Sequence, residues 1–277
     1  MYSDVLPFLR CPACRSALAL GQPRLDRAGE IVGGALACDG CGARYPVRQG
    51  VADFLGAPRP PSPAQLVNEL PPTAWFYERG WRPFALTLLS GERFSYRREL
   101  PLVARLAEPQ RGGLYLDVAC SNGLYARALT RAMRGAAGHV AGIDHSLPML
   151  HQARRFALGA GLRISYLRAK AQALPIAPGA AAGVVVGGSL NEIGDLDACL
   201  SEMRRALAPA GRCVTMTLAR AATPGGRLFQ QLMGTGGIAF WTPEELQGHF
   251  ERHGLRPAGA WKYGLVMFHL AAPAAQA

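Results

Sequence analysis

Two groups of residues in this 277-residue chain have types and spacings that could do chemistry. The first is four cysteines: Cys11 and Cys14 in CPAC, then, 23 residues later, Cys38 and Cys41 in CDGC. Two C-x-x-C turns let four thiolates converge tetrahedrally on one ion, with turn N–H groups offsetting their charge, as Zn²⁺ favours. With all four ligands thiolate, no coordination place is left for water, so the implied zinc is structural rather than catalytic. A pair of redox motifs is the competing reading, but neither C-x-x-C opens a helix in a βαβ unit. The second group lies in LDVACSNGLYARAL, residues 116–129, where an apolar run reaches Asp117 and a cramped loop of small residues leads into an amphipathic stretch. Small residues let a ligand approach the backbone, and the helix N-terminus beyond offers free N–H groups. Asp144 ends the next apolar run, 21 residues after Gly123, where a carboxylate can accept from both hydroxyls of a ribose. The loop lacks the G-x-G-x-x-G pyrophosphate fingerprint, so the expected ligand is an adenosine carrying something smaller than a dinucleotide.

The elements that must position these residues alternate regularly. Strands are predicted over residues 113–120, 139–144, 164–169, 183–190 and 211–219, and helices over 122–134, 146–158, 196–209 and 242–254, with closing strands over 256–264 and 265–271. Short apolar strands alternating with amphipathic helices imply an α/β fold, a Rossmann-like, mostly parallel sheet with helices on both faces, plus a small N-terminal zinc ribbon. The ligand then sits beyond the C-terminal ends of the strands. Residues 1–56 form the ribbon, a unit with too little core to fold securely without metal. Residues 57–72 are a proline-rich linker that neither helix nor strand tolerates. Residues 73–111 are a helical cap, or a lid with Tyr77, Arg79 and Trp81 facing ligand, and residues 112–277 are the catalytic-type domain.

Composition bounds the function. The net charge is +11, yet 28 of the 30 basic residues are arginine, which together with the alanine and glycine richness reads as codon bias. The excess concentrates in residues 124–170, with eight basic residues against Asp144 alone. Arg127, Arg131 and Arg134 are expected on a solvated helix face there, with a phosphate-binding patch as the sharper alternative. Seven cysteines and no secretory start argue against a disulfide framework and for the cytoplasm. The uncharged run 171–191 is interrupted by prolines and glycines, so no membrane insertion is expected. His249 and His253 fall i, i+4 on a helix, but lack the metalloprotease order and an evident third ligand.

The ordered set LDVACSNG, GIDHSLPML, the strand over 183–190 and the helix before ALAPAGR resembles the class I S-adenosylmethionine-dependent methyltransferases, nearest the ubiquinone and menaquinone methyltransferase group. The stretch CGARYPVRQGVADFL is similar to the end of the small zinc-ribbon subunits that activate tRNA and protein methyltransferases. Together with FYERGWR, the whole chain resembles little-characterised methyltransferase-like proteins of plant chloroplasts.

The resemblance implies S-adenosylmethionine as cofactor. Asp117, Ala119 and Gly123 would line its methionine end, with Cys120 contributing only its backbone and Ser121, where the family usually has glycine, adding only a small side chain. Asp144 would hold the ribose, His145 and Met149 would lie near the adenine, and Gly187, Gly188, Ser189 and Leu190 would pass under the sulfonium. The family's usual acid toward the adenine amine is replaced by Lys170, which cannot accept a hydrogen bond, leaving that role to the Ala171 backbone and Gln172. No residue announces itself as a general base; Asn191 and Glu192 are the candidates, with helix capping the alternative for the carboxylate. The leading expectation is methyl transfer to a small organic acceptor. An RNA methyltransferase using the ribbon for recognition, and a non-methylating catalyst or scaffold on the same fold, are the alternatives.

Overall fold

The computed structural model describes residues 1–56, 80 and 82–274; the expected linker and the lid residues Tyr77, Arg79 and Trp81 lie outside them. Among the described residues, eleven strands form one sheet. The ribbon supplies β1 (Leu18–Leu25), β2 (Ile31–Cys38), β3 (Arg44–Arg48) and β4 (Val51–Asp53). The larger part supplies β5 (Gly113–Val118), β6 (Gly138–Asp144), β7 (Ile164–Arg168), β8 (Ala181–Gly187), β9 (Leu207–Leu218), β10 (Leu255–Tyr263) and β11 (Val266–Pro273). Their order is β1-β2-β3-β4-β7-β6-β5-β8-β9-β11-β10. Pairings from β4 through β9 are parallel, and those at both ends are antiparallel.

The ribbon continues the sheet. Val51, Ala52 and Asp53 pair in parallel with Tyr166, Leu167 and Arg168. This covers β7, whose unpaired N–H and C=O groups would otherwise form an open edge. Met1, Val5, Leu9, Ile31, Leu36, Val47, Ala52 and Phe54 belong to the same apolar cluster as Leu116, Ile143 and Leu167. The core that a unit of this size lacks by itself is thus shared with the larger part.

Among the described residues, seven α-helices flank the sheet: α1 (Arg82–Ser90), α2 (Tyr96–Ala107), α3 (Leu124–Ala132), α4 (Leu147–Gly159), α5 (Leu196–Ala206), α6 (Pro224–Gly234) and α7 (Pro243–Arg252). Alternation on β5 sends Leu114, Leu116 and Val118 into one core, with α5 and α7, and Tyr115 into the other, with α2, α3 and α4. Start signals are explicit in the sequence. Ser146 caps α4 at the Met149 N–H, Asp195 caps α5 at Ala198, and Thr242 with Glu245 forms a reciprocal capping box on α7.

Three local expectations are corrected. The helix expected to run through Pro209 ends at Ala206, and β9 takes over at Leu207, because proline cannot continue a helix. Arg127 is buried rather than solvated: it donates to the Asn122 carbonyl at 2.6 Å and lies over the Phe156 ring, leaving Arg131 and Arg134 exposed. Helix α6 went unread because PGGRLFQQLMG opens with two glycines and buries only Gln230, while Leu228, Phe229 and Leu232 stay exposed. Among the described residues no helix is long and apolar enough to cross a membrane.

Between β9, β11 and α7, His269 is buried against Phe250 with neither ring nitrogen bonded, and burial pushes its pKa down to about 4. The native state keeps this ring neutral while the unfolded chain protonates near 6.5. Its contribution is therefore complete above pH 6.5 and is lost as pH falls toward 4. His269→Leu should raise stability at pH 7 by about 1 kcal/mol and shallow the acid limb of urea unfolding measured from pH 7 to pH 4.

Candidate cofactor cleft and metal centre

The candidate cleft opens where the order of parallel strands reverses, beyond the C-terminal ends of β5, β6 and β8. It is lined by Asp117, Ala119, Cys120, Ser121, Asn122, Leu124, Tyr125, Gly187, Ser189 and Arg82. The loop from Ala119 to Gly123 owes its shape to alternating left-handed residues, with φ of 53° at Ala119, 49° at Ser121 and 73° at Gly123. Only at Gly123 does the sequence supply the residue that adopts this conformation freely, and a Cβ there would lie 2.9 Å from the Tyr166 hydroxyl. Ala119 and Ser121 bear the strain of a left-handed side-chain residue, about 1 kcal/mol each. Ala119→Gly should remove it at a smaller entropic cost in the unfolded chain, raising the thermal midpoint by about 1 °C in calorimetry.

The two aspartates differ in setting. Asp144 accepts one backbone N–H on each carboxylate oxygen, from Ser121 at 2.8 Å and Ser146 at 2.8 Å. Asp117 is 1% exposed and accepts from the Ala126 N–H at 2.7 Å, inside the first turn of α3. Burial pushes its pKa up to about 7, against the opposing pull of that N–H.

Other expected residues divide. Met149 meets the loop through its sulfur, 3.5 Å from the Ser121 hydroxyl, and half-exposed His145 lies beside Asp144. Gly187 bounds the cleft over the Tyr125 ring, 3.0 Å from where a Cβ would stand. Gly188 turns the chain at φ 95° and donates to the Met216 carbonyl. Leu190 points into the core at 1% exposure and does not face the cleft. Half-buried Ala171 and Gln172 lie on the loop after β7, where the Gln172 amide donates to the Ile193 carbonyl, while Lys170 is exposed. The Cys120 thiol is buried, and desolvation holds its pKa far above the ordinary range.

The acceptor-side candidates fare unevenly. Asn191 donates to the carbonyls of Leu218 and Ala239 and accepts from the Leu218 N–H, so its amide fastens the ends of the α6 excursion. Glu192 is exposed.

A buried polar group at the cleft was not anticipated. Arg82 forms two bonds to Glu99, at 2.7 and 2.6 Å, and the Tyr125 hydroxyl donates to the same carboxylate at 2.5 Å. Glu99 is fully buried, and burial followed by the Glu99 charge drives the Tyr125 pKa far up, so the phenol stays protonated. The only signal was an arginine inside the apolar stretch WRPFALTLL.

In the ribbon, the four sulfurs of Cys11, Cys14, Cys38 and Cys41 lie within 4.8 Å of one another. Cys14 and Cys38 are 3.3 Å apart and Cys11 and Cys41 3.7 Å, against edges of about 3.8 Å for tetrahedral zinc thiolate. The Ser16 hydroxyl, with backbone N–H support, draws the Cys14 pKa down to about 6, while Cys41, despite its Ala43 backbone bond, is pushed up to about 12 by the neighbouring thiols. The residues fit a zinc ion. His249 and His253 instead meet the Asp197 carboxylate of α5 at 2.7 and 2.9 Å, a surface link between α5 and α7.

Residues 116–211 match the model for a methyltransferase domain. Over these residues the chain is similar to methyltransferase domains. Residues 3–50 match the model of Trm112p-like proteins, in keeping with the ribbon. The chain is 36% identical to a demethylmenaquinone methyltransferase of Thermus thermophilus over 46% of its length, covering 55% of that protein. It is 26% identical to an uncharacterized chloroplastic methyltransferase of Arabidopsis thaliana over 76% of its length, covering 61% of that protein. The aligned stretches thus span little more than half of these relatives. Among solved structures, a SAM-dependent methyltransferase from Aquifex aeolicus superposes at a TM-score of 0.56 and 17% identity, over 73% of this chain and 97% of that one. The complex containing the Haloferax volcanii Trm112 methyltransferase activator supplies another, at 0.57 and 15%, over 78% and 100%. These likenesses concern the fold.

Proposed function

We propose that the chain is an S-adenosylmethionine-dependent methyltransferase acting on a small organic acceptor. One observation carries the cofactor reading. Asp117 and Asp144 stand at the C-terminal ends of adjacent parallel strands, on either side of a loop whose residues 119, 121 and 123 are all left-handed. Each Asp144 oxygen already accepts one amide and retains a second lone pair, enough for the two hydroxyls of a ribose. An ionised Asp117 would serve as charge partner for the protonated α-amino group of the methionine end. The Arg82 guanidinium, oriented by Glu99, lines the same cleft. Gln172 keeps an oxygen that can accept from the adenine amine, the role Lys170 cannot fill.

When bound, S-adenosylmethionine supplies a methyl group already activated by its sulfonium, and the residues' part is alignment and exclusion of water. The ribbon's four thiolates would hold zinc in a structural role. The similarity to quinone methyltransferases supports a small acceptor. A second reading, an RNA acceptor recognised through the ribbon, is favoured by its match to Trm112p-like proteins.

Calorimetry with S-adenosylhomocysteine on purified protein tests the cofactor; no binding at millimolar ligand ends the reading. Methyl-labelled cofactor in a cell extract then tests the acceptor. Label in the organic-soluble small-molecule fraction is the expected result, label in RNA selects the second reading, and absence of turnover removes both.

A further inference from the structure

Arg168, the last residue of β7, joins the ribbon to the corner that holds Asp144. It is 8% exposed, and its Nε donates to the His145 carbonyl at 3.0 Å. Its Nη1 donates to the Asp53 carboxylate at 3.0 Å and to the Gly56 carbonyl at 2.8 Å. Asp53 is itself fixed, because its other oxygen accepts the N–H groups of Leu55 and Gly56. The backbones run alongside: Phe54 donates to the Arg168 carbonyl and Ala169 to the Asp144 carbonyl. Two of the three guanidinium bonds therefore end on the strand leaving the ribbon, and the third pins the residue that follows Asp144. The orientation of the Asp144 carboxylate depends on residues 144–146, since Ser146 bonds one of its oxygens.

We propose that Arg168 is a positioning residue, which through Asp53 uses the docked exit strand of the ribbon to hold the Asp144–His145 corner in the orientation that grips the cofactor sugar. This rests on the cofactor reading above. A planar fork can reach both partners at once from a fixed side chain, whereas a lysine ammonium at this position cannot. Removal of Arg168 or of the Asp53 charge leaves the corner free to turn, and the sugar hydroxyls are the ligand groups that register it.

The test uses the full chain in its metal-bound state and compares S-adenosylhomocysteine with its 3′-deoxy and 2′-deoxy analogues by calorimetry. In the parent protein, removing a hydroxyl bonded to a carboxylate should weaken binding about 10-fold or more. In Arg168→Lys, and in the milder Asp53→Asn, this discrimination should fall to about 3-fold or less, with zinc content unchanged. The two changes combined should weaken binding by no more than the stronger alone, as expected of groups acting through one contact. A parent protein that fails to bind S-adenosylhomocysteine refutes the cofactor reading itself. A parent that binds and discriminates, with either variant discriminating equally, overturns the positioning role even if overall affinity has dropped.

Discussion

Replacing Cys38 and Cys41 together by serine should abolish metal retention and unfold the ribbon, and the damage should reach the cofactor cleft. Structural zinc in small ribbons contributes about 10 kcal/mol or more of apparent folding free energy, comparable to the whole stability of an ordinary domain. Here the loss would not stay local. The residues before the first cysteine turn pair with the loop after β7: Arg10 donates to the Pro175 carbonyl, and Ala177 donates to that of Phe8. Arg15, within that turn, donates to the Leu174 carbonyl and pairs with Glu202 of α5 at 3.0 Å. That loop also carries Ala171 and Gln172, and β4 covers the edge of β7. Unfolding of the ribbon would thus expose the β7 edge and release the loop of Ala171 and Gln172 together. Elemental analysis should find one zinc per chain in the parent and none in the double variant, with S-adenosylhomocysteine affinity reduced at least 10-fold and the thermal midpoint lowered by more than 5 °C. A variant that keeps its zinc would show that the metal lies elsewhere.

The α/β alternation could be read because each strand in the parallel region is a short apolar run bounded by turn residues, and three of the helices carry their own start signals, at Ser146, Asp195 and Thr242. The cysteine spacing was equally legible, since thiolates on two tight turns have few other ways to be satisfied. What the sequence hid was contact between distant segments. Nothing in VADF says that Val51–Asp53 will extend the sheet at β7, because a three-residue strand carries almost no periodicity. Arg82 and Glu99, bonded within the core, look like surface charges in a one-dimensional reading, since burial of a charge becomes affordable only through a partner that the fold supplies. Arg127 misled for the same reason, its helical phase being right while the Phe156 ring that covers it belongs to another helix.

Binding of the cofactor should strengthen with pH in a range where ordinary aspartates no longer titrate. Burial raises the folded-state pKa of Asp117 from 3.8 to about 7, so its neutral form is the one the empty cleft favours. The sign for stability follows: the contribution of the raised group is complete below pH 3.8 and is lost as pH rises through about 7. The protonated α-amino group of the cofactor reverses that preference by offering the carboxylate a charge partner where water is excluded. Binding below pH 7 then requires release of a proton, and affinity for S-adenosylhomocysteine should rise about tenfold per unit between pH 5.5 and 6.5 and level off above 7.5. Asp117→Asn keeps an oxygen for the Ala126 N–H but cannot become charged. Its affinity at pH 8 should be about 100-fold weaker, the loss associated with a buried charge-assisted bond, and should stay flat across the same pH range. Calorimetry in two buffers of different ionisation enthalpy reads the released proton directly. A parent protein showing neither the slope nor the proton would mean that Asp117 is ionised before ligand arrives, with its charge already balanced by Arg82 and Arg127, whose fields both act to lower its pKa.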